Sequence, residues 1–246
     1  MRDDLLDARA AIDWAIDQLP LLDRRVASWF NQGAYRWVEE PHPEMSQTLI
    51  KLRDVKPLPP IINAEVGAII NSIRSSLDLL ATALAHRHCI PKPDDMYFPV
   101  AKSAAEFASG RGYKGTALIK GLPPTEREII ESVKPYSGGN DALVALHKLD
   151  ITRKHRRLIG VRLVPSSIVV TPEAQRSGLG FPNIWPGFQE DAVIAWTRID
   201  AAHSGFQMAL QITFNEAELL PSRPVTSALS DLAALATSIV QLFDTP

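Results

Sequence analysis

The chain has 246 residues, of which 46% are hydrophobic, so it is long and apolar enough to bury a core and is not expected to be disordered. Its net charge of −2 gives no overall attraction to nucleic acid or anionic lipid, so either ligand would need a local patch. Cys89 is the only cysteine, which excludes an internal disulfide and fits a reducing compartment. Since no apolar segment is long enough to span a bilayer and the first residues are acidic where a signal peptide is basic, we expect a cytoplasmic protein of bacterial type without membrane contact.

The predicted elements before the middle of the chain are a helix, a hairpin and a second, longer helix. Apolar residues at helical spacing predict the first helix over 3–19, which Pro20 kinks or ends. Between 34 and 56 the apolar pattern changes towards period two, which predicts a β-hairpin. Pro59-Pro60 then begins the longest helix, which runs to about His88.

Shorter helices follow as far as Gly160. Ser103 and Glu106 form a capping box at the start of a short helix. The next predicted helix is closed by Gly138-Gly139. Asn140 then caps a further helix, which should end near Gly160.

After Gly160 the pattern changes to strands and a closing helix. The predicted strands are 161–170, 192–199 and 206–214, and the predicted helix is 226–243. No helix separates the strands, so they should pair antiparallel. We therefore predict an α+β fold in a single domain over 1–246, in which 1–160 form a mainly helical bundle with long antiparallel helices and the hairpin. Residues 161–246 would add an antiparallel β-sheet and the C-terminal helix.

Two rows of polar residues lie on predominantly apolar helices. The first row is Asn71, Arg74, Asp78 and Thr82, and the second row is His147, Asp150 and Lys154. Residues three or four apart share a helix face, so the side chains of each row point the same way. Because an unpaired buried charge is costly, we predict that the two helices pack together and that the acid of each row pairs with a cation of the other. Asp78 would then lie within salt-bridge reach of His147, Lys154 or a residue beside them.

A local basic patch overlaps the second row. Between 148 and 162 the only acid is Asp150, and the cations are Lys148, Arg153, Lys154, Arg156, Arg157 and Arg162. Such a cluster is typical of phosphate binding, so RNA or a nucleotide phosphate is the expected ligand. No cofactor and no metal are predicted, and a homodimer is compatible with the sequence.

Several short motifs share their order with a known group of proteins. An Asn-x-x-Arg-x-x-Leu-Asp helix over 71–78 is followed by Phe98-Pro99, by Lys134-Pro135-Tyr136 and by a helix over 146–156 that carries Leu-His-x-Leu-Asp and Lys-His-Arg. Over about 59–159 the chain resembles a group of uncharacterised bacterial and phage-associated proteins, a resemblance that implies no activity. A more distant likeness is to helical HEPN-type domains, many of which cut RNA with an Arg-x(4–6)-His motif on a helix.

The HEPN motif is not matched on a helix in this sequence. Arg198 and His203 have the right spacing but fall in the predicted turn between two strands. The basic helix offers equivalent chemistry, because metal-free RNA cleavage needs a base near the ribose hydroxyl and cations around the phosphate. His147 or His155 would be the base. The phosphate ligands would be Arg74, Lys154 and Arg156.

Two hypotheses of different classes follow. In the first, which the HEPN likeness implies, the protein is a metal-independent phosphodiesterase acting on RNA or nucleotides in phage defence or a toxin system. Its catalytic residues would be His147, Asp78, Arg74 and Lys154, and its binding residues Asn71, Asp150, His155 and Arg156. In the second, the protein is a non-catalytic interaction protein whose polar rows are internal supports, and on the sequence alone this structural role is favoured over catalysis. An enzyme needs these side chains in an open cleft, whereas supports should be sealed and fully paired.

A glycine-rich segment is the remaining motif of interest. Gly110, Gly112 and Gly115 have the spacing of a dinucleotide-binding fingerprint, but they follow a short helix rather than a strand. This predicts a mobile loop, in which Arg111 and Lys114 would touch an anionic ligand.

Overall fold

The computed structural model describes residues 2–176, 178–185, 187–198, 206–215 and 223–244. The helices are α1 (Leu6–Asn31), α2 (Pro60–Arg87), α3 (Ala104–Ser109), α4 (Thr116–Gly121), α5 (Pro124–Val133), α6 (Asp141–His155), α7 (Pro172–Arg176) and α8 (Val225–Gln241). The strands are β1 (Arg36–Pro41), β2 (Gln47–Arg53), β3 (Val161–Val170), β4 (Val193–Arg198) and β5 (Phe206–Phe214). The prediction of an α+β fold with antiparallel strands and a C-terminal helix is confirmed.

Helix α1 continues through Pro20 to Asn31, so the prediction that the first helix ends near Leu19 is wrong. Proline inside a helix removes one backbone hydrogen bond, and packing has to offset that cost. The turn after Pro20 supplies such packing, because Leu22 is fully buried on the same side as Ile12 and Ala15. This side faces α2, where Ser72 Oγ also donates a hydrogen bond to Ala11 O at 2.8 Å.

The core is built around α2. Its large buried apolar residues recur at helical spacing along one side and are Ile62, Val66, Ile69, Ile70, Ile73, Leu77, Leu80 and Leu84. Helices α1, α6 and α8 pack against it, and all of these helices contribute to one large hydrophobic cluster. A polar side chain on α2 therefore has to find its partners within the protein. Within the described ranges, no helix combines the length and apolar character that crossing a membrane requires.

The strands form two separate sheets, whereas the sequence predicted a hairpin and one further sheet. The hairpin β1–β2 is confirmed, and β4 pairs antiparallel with β2, which gives the order β1-β2-β4. Strands β3 and β5 form a two-stranded antiparallel sheet of their own. The end of the predicted strand at Ile199 and the turn with His203 lie outside the described residues.

Helix α6, which carries the second polar row, and helix α5 before it both end earlier than predicted. Helix α5 stops at Val133, because Lys134 adopts a left-handed conformation with φ of 52°, so the helix is already closed before Gly138-Gly139. Asn140 caps α6 as predicted, its side chain accepting a hydrogen bond from Leu143 N at 3.0 Å. Helix α6 ends at His155, not near Gly160, because Gly160 O instead accepts a hydrogen bond from Asn215 N beside the β3–β5 sheet.

Candidate functional site

The two polar rows meet where α2 packs against α6, as predicted. Arg74 Nε lies 3.4 Å from His147 Nδ1 and joins the two helices. The prediction that the acid of each row pairs with a cation of the other row is wrong, however. Asp78 pairs with Arg74 on its own helix, at 2.8 Å, and Asp150 pairs with Lys154 on its own helix, at 2.7 Å. Opposite charges four residues apart already lie side by side on a helix, so each helix neutralises its own acid.

The Arg74–Asp78 pair holds the backbone of Phe98. Arg74 is 3% exposed, and its Nη2 donates to Phe98 O at 3.1 Å. Asp78 Oδ1 accepts from both Arg74 Nη1 and Phe98 N, the latter at 3.0 Å. Both backbone polar groups of a buried residue are thereby satisfied. Arg74 and Asp78 therefore position the segment around Phe98.

Next to this pair lies an open cleft of about 520 Å³. Its walls are Arg74 and Asp78 of the first row, the second row, the segment 97–102 and the loop before α4. Lining cations are Arg74, Lys102, Lys114, Lys148 and Lys154, and lining acids are Asp78, Glu106 and Asp150. The rows are thus not sealed inside the core. A larger cavity of about 680 Å³ lies beside β3 and Trp185, and it contains neither row.

The segment 97–102 is fixed by contacts that the sequence analysis did not foresee. Ala101 N donates to Pro135 O at 2.9 Å, and Glu106 accepts a hydrogen bond from the backbone N–H of Lys102. These contacts place Lys102 and Tyr97 in the cleft wall. No sequence signal identified either residue, because their position depends on tertiary contacts made elsewhere in the chain.

The glycine-rich loop between α3 and α4 forms the remaining wall. Lys114 Nζ lies 4.3 Å from the centroid of the Tyr97 ring, which holds this lysine at the rim by a cation–π contact. Lys114 lines the cleft, whereas Arg111 is not among the described lining residues. The loop joins two helices, so its glycines do not form a dinucleotide-binding turn.

His147 is held in one protonation state. Its burial, and secondly the positive charge of Arg74, lower the pKa of His147 from 6.5 to about 4, although Asp150 opposes the shift. Arginine only donates hydrogen bonds, so Nδ1 of His147 accepts from Arg74 and Nε2 carries the hydrogen. At neutral pH His147 is an uncharged hydrogen-bond donor. A group with so low a pKa is a weak general base, which disfavours the predicted catalytic role.

We expect the stability of the protein to fall as the pH decreases from about 6.5 towards 4. The unfolded chain binds a proton at His147 in this range whereas the folded protein does not, so acid favours unfolding. Urea denaturation at pH 7 and pH 4.5 measures the effect, and NMR titration measures the pKa. His147→Gln should reduce the pH dependence. A His147 pKa near 6.5 would contradict this account.

Asp150 is the second unusual side chain of the cleft. It is 4% exposed, and its Oδ2 accepts from Lys154 Nζ. Its Oδ1 is also buried, yet no donor among the described residues reaches it. A buried carboxylate oxygen without a donor is costly, and such atoms are rare in folded proteins.

The other predicted site residues are more peripheral. His155 is exposed and lines the cleft. Asn71, Thr82 and Arg156 are not among the described lining residues, and Arg156 is exposed just after the end of α6. In the described ranges, no group of three or more His, Cys, Asp or Glu side chains is arranged to hold a metal ion.

Comparisons of this chain with protein-family models, with curated proteins and with solved structures found no match. The likeness to phage-associated proteins and to HEPN-type domains stays an expectation.

Proposed function

We propose that the cleft binds the phosphate group of single-stranded RNA or of a nucleotide. The observation that carries this proposal is the convergence of lysines from separate segments on one open cleft. Lys102 follows the Phe98 segment, Lys114 lies in the loop before α4, and Lys148 lies on α6. A phosphate offers several acceptor oxygens, so it suits cations that approach from different directions.

The charge balance of the cleft supports an anionic ligand. Two of its three acids are already neutralised by cations on their own helices. The remaining acid, Glu106, lines the cleft together with Lys102, Lys114 and Lys148, so lysines outnumber it. His147 adds a neutral N–H donor to the same wall, and this group donates to a phosphate oxygen without a change of protonation. Tyr97, which is partly exposed, adds an aromatic edge at the rim.

Metal-independent RNA cleavage is the second candidate function. His155 favours it, because this exposed histidine lines the cleft that holds the lysines. His155 was one of the two bases considered from the sequence, and it is preferred here because the Nδ1 lone pair of His147 accepts from Arg74. Cleavage would then be lost in His155→Ala and retained in His147→Gln.

We expect the purified protein to bind a labelled single-stranded RNA at low salt in the presence of EDTA. Lys114→Ala combined with Lys148→Ala should weaken binding at least tenfold. The slope of log K against log salt should decrease by roughly 1.4, because each lost contact to a single strand contributes about 0.7. Fluorescence anisotropy at several salt concentrations measures both values, and a denaturing gel of the same samples shows whether the RNA is cut.

The matched control is the double variant Lys92→Ala and Lys120→Ala, which removes the same charge from exposed positions outside the cleft lining. An equal loss of RNA affinity in both double variants would show that RNA is attracted by the overall charge of the protein. That result would contradict a defined binding site. Lys154→Ala with Arg156→Ala is a less specific test, because Lys154 also neutralises the buried Asp150. Absence of binding by the wild type at low salt would exclude RNA as the ligand.

A further inference from the structure

One edge of strand β3 has no partner strand among the described residues. Strand β5 occupies the other edge, and the two strands form a sheet by themselves. Just before β3, Asn215 N donates to Gly160 O, which fixes the backbone groups that point towards β5. Such groups alternate along an antiparallel pair, so Arg162 bonds to β5 while the N–H and C=O groups of Val161 and Leu163 point away from it. Within the described ranges no hydrogen-bond partner reaches these outward groups.

The open edge of β3 lies in the cavity of about 680 Å³, apart from the cleft of the polar rows. Four consecutive residues of β3, 161–164, line this cavity. Successive side chains of a strand point to opposite faces, so a cavity over one face would meet alternate residues only. Contact with all four residues therefore places the cavity along a strand edge. Among the described lining residues none belongs to β5, so this edge is the one that β5 leaves open.

Apolar side chains complete the walls of this cavity. They come from 55–58, which follows β2, and from the described part of 184–190, which precedes β4. Leu58, Trp185 and Phe188 are partly buried there, and Ile184 is 84% exposed. A free strand edge beside an apolar groove is the surface to which extended peptides bind as an added strand. Main-chain hydrogen bonds then supply affinity and the groove supplies specificity.

The charges of the groove favour an acidic peptide. Glu190, the acid among the described lining residues, already accepts hydrogen bonds from Asp54 N at 3.2 Å and Val55 N at 3.0 Å. The lining cations are Lys56 and Arg162, and both are exposed. Arg162 belongs to the basic patch of the sequence, but it has no acidic partner among the described residues and does not line the cleft of the polar rows. A carboxylate opposite Arg162 on an added strand would supply that partner.

We infer that the open edge of β3 binds an extended peptide in which an acidic residue lies between apolar residues. The peptide main chain pairs with the outward N–H and C=O groups of Val161 and Leu163. The acidic residue lies opposite Arg162 and on the same face of the enlarged sheet, whichever direction the peptide takes. Its apolar neighbours point to the other face, where Val161 and Leu163 are buried. The cavity contains neither polar row, so this inference is independent of the proposed function.

The test uses a fluorescein-labelled heptapeptide in which valine alternates with glutamate, and the same peptide with lysine in place of glutamate. Anisotropy should show that the glutamate peptide binds about tenfold more tightly, because lysine is repelled by Arg162 and Lys56. Arg162→Gln should weaken binding of the glutamate peptide roughly two- to fivefold, the range for one cross-strand charge pair. The matched control Arg176→Gln changes an exposed arginine of α7 outside the cavity lining and should leave this affinity unchanged.

Two N-methylated forms of the glutamate peptide test the main-chain pairing without any change to the protein. One form carries the methyl groups on the valine amides and the other carries them on the glutamate amides. Alternate amides of a strand point to opposite sides, so one form should lose its affinity and the other should keep it. Equal affinities of the two forms would overturn the inference, because the peptide would then not pair through one of its edges.

Hydrogen exchange followed by NMR locates the bound peptide on the protein. With saturating glutamate peptide, the amides of Val161 and Leu163 should exchange about tenfold more slowly. The amide of Arg162 already bonds to β5, so its exchange should change little. Unchanged exchange of Val161 and Leu163 at millimolar peptide would overturn the inference. If these two amides are protected in the protein alone and sedimentation shows a dimer, a second copy of the chain occupies the edge and the assignment to a peptide is wrong.

Discussion

Replacing Asp78 with alanine is expected to lower the free energy of unfolding by about 3–5 kcal/mol, the range for breaking a buried ion pair from one side. The variant leaves the Arg74 guanidinium, which is 3% exposed, without its anion. It also removes the acceptor of Phe98 N, so a second buried polar group loses its partner. Urea denaturation at pH 7 measures the change.

The matched control is Asp13→Ala on α1. Arg9 and Asp13 form an ion pair with the same four-residue spacing and a distance of 2.9 Å, but their side chains are 32% and 51% exposed. Its loss should cost less than about 1 kcal/mol, because solvent screens the pair. If the urea midpoint of Asp78→Ala is as close to that of the wild type as the midpoint of Asp13→Ala is, the supporting role of Asp78 is refuted.

The meeting of the two polar rows could be predicted from the sequence, but their pairing could not. Residue spacing places Arg74, Asp78 and His147 on facing sides of two apolar helices, and the cost of buried charge brings these sides together. The same spacing also places Arg74 beside Asp78 and Asp150 beside Lys154. An ion pair within one helix joins side chains that the helix already holds close together, so it costs less conformational entropy than an ion pair between two helices. The structure contains the ion pairs within helices.

Elements with local signals were predicted well, whereas long-range partners were not. The hairpin and the start of α2 follow from residues close in sequence, such as Pro59-Pro60. The pairing of β2 with β4 joins distant segments, and no pattern within either strand specifies that partner. Tyr97 and Lys102 were missed in the cleft for the same reason, because the segment that carries them is placed by Pro135 and the Arg74–Asp78 pair.

Gly115→Ala is expected to destabilise the protein by about 2–5 kcal/mol and to disrupt the cleft. Gly115 has φ of 92°, where an L side chain is strained by about 1–2 kcal/mol. An added Cβ would lie 2.6 Å from Tyr97 O and 2.7 Å from Pro99 Cα. These are backbone atoms that cannot rotate away, so the segment must shift, and such overpacking costs a further ~1–3 kcal/mol.

Gly110→Ala separates the clash from the backbone strain. Gly110 also has a positive φ, of 60°, but an added Cβ there would meet nothing within 4 Å. This control should lose only about 1–2 kcal/mol in urea denaturation. It should also keep its affinity for RNA, because the contact of Gly115 with the Tyr97 segment is intact. If the two variants are equally stable and bind RNA equally, the close approach of the loop to Tyr97 does not hold Lys114 in the cleft wall, and the lysine reaches its position by another contact.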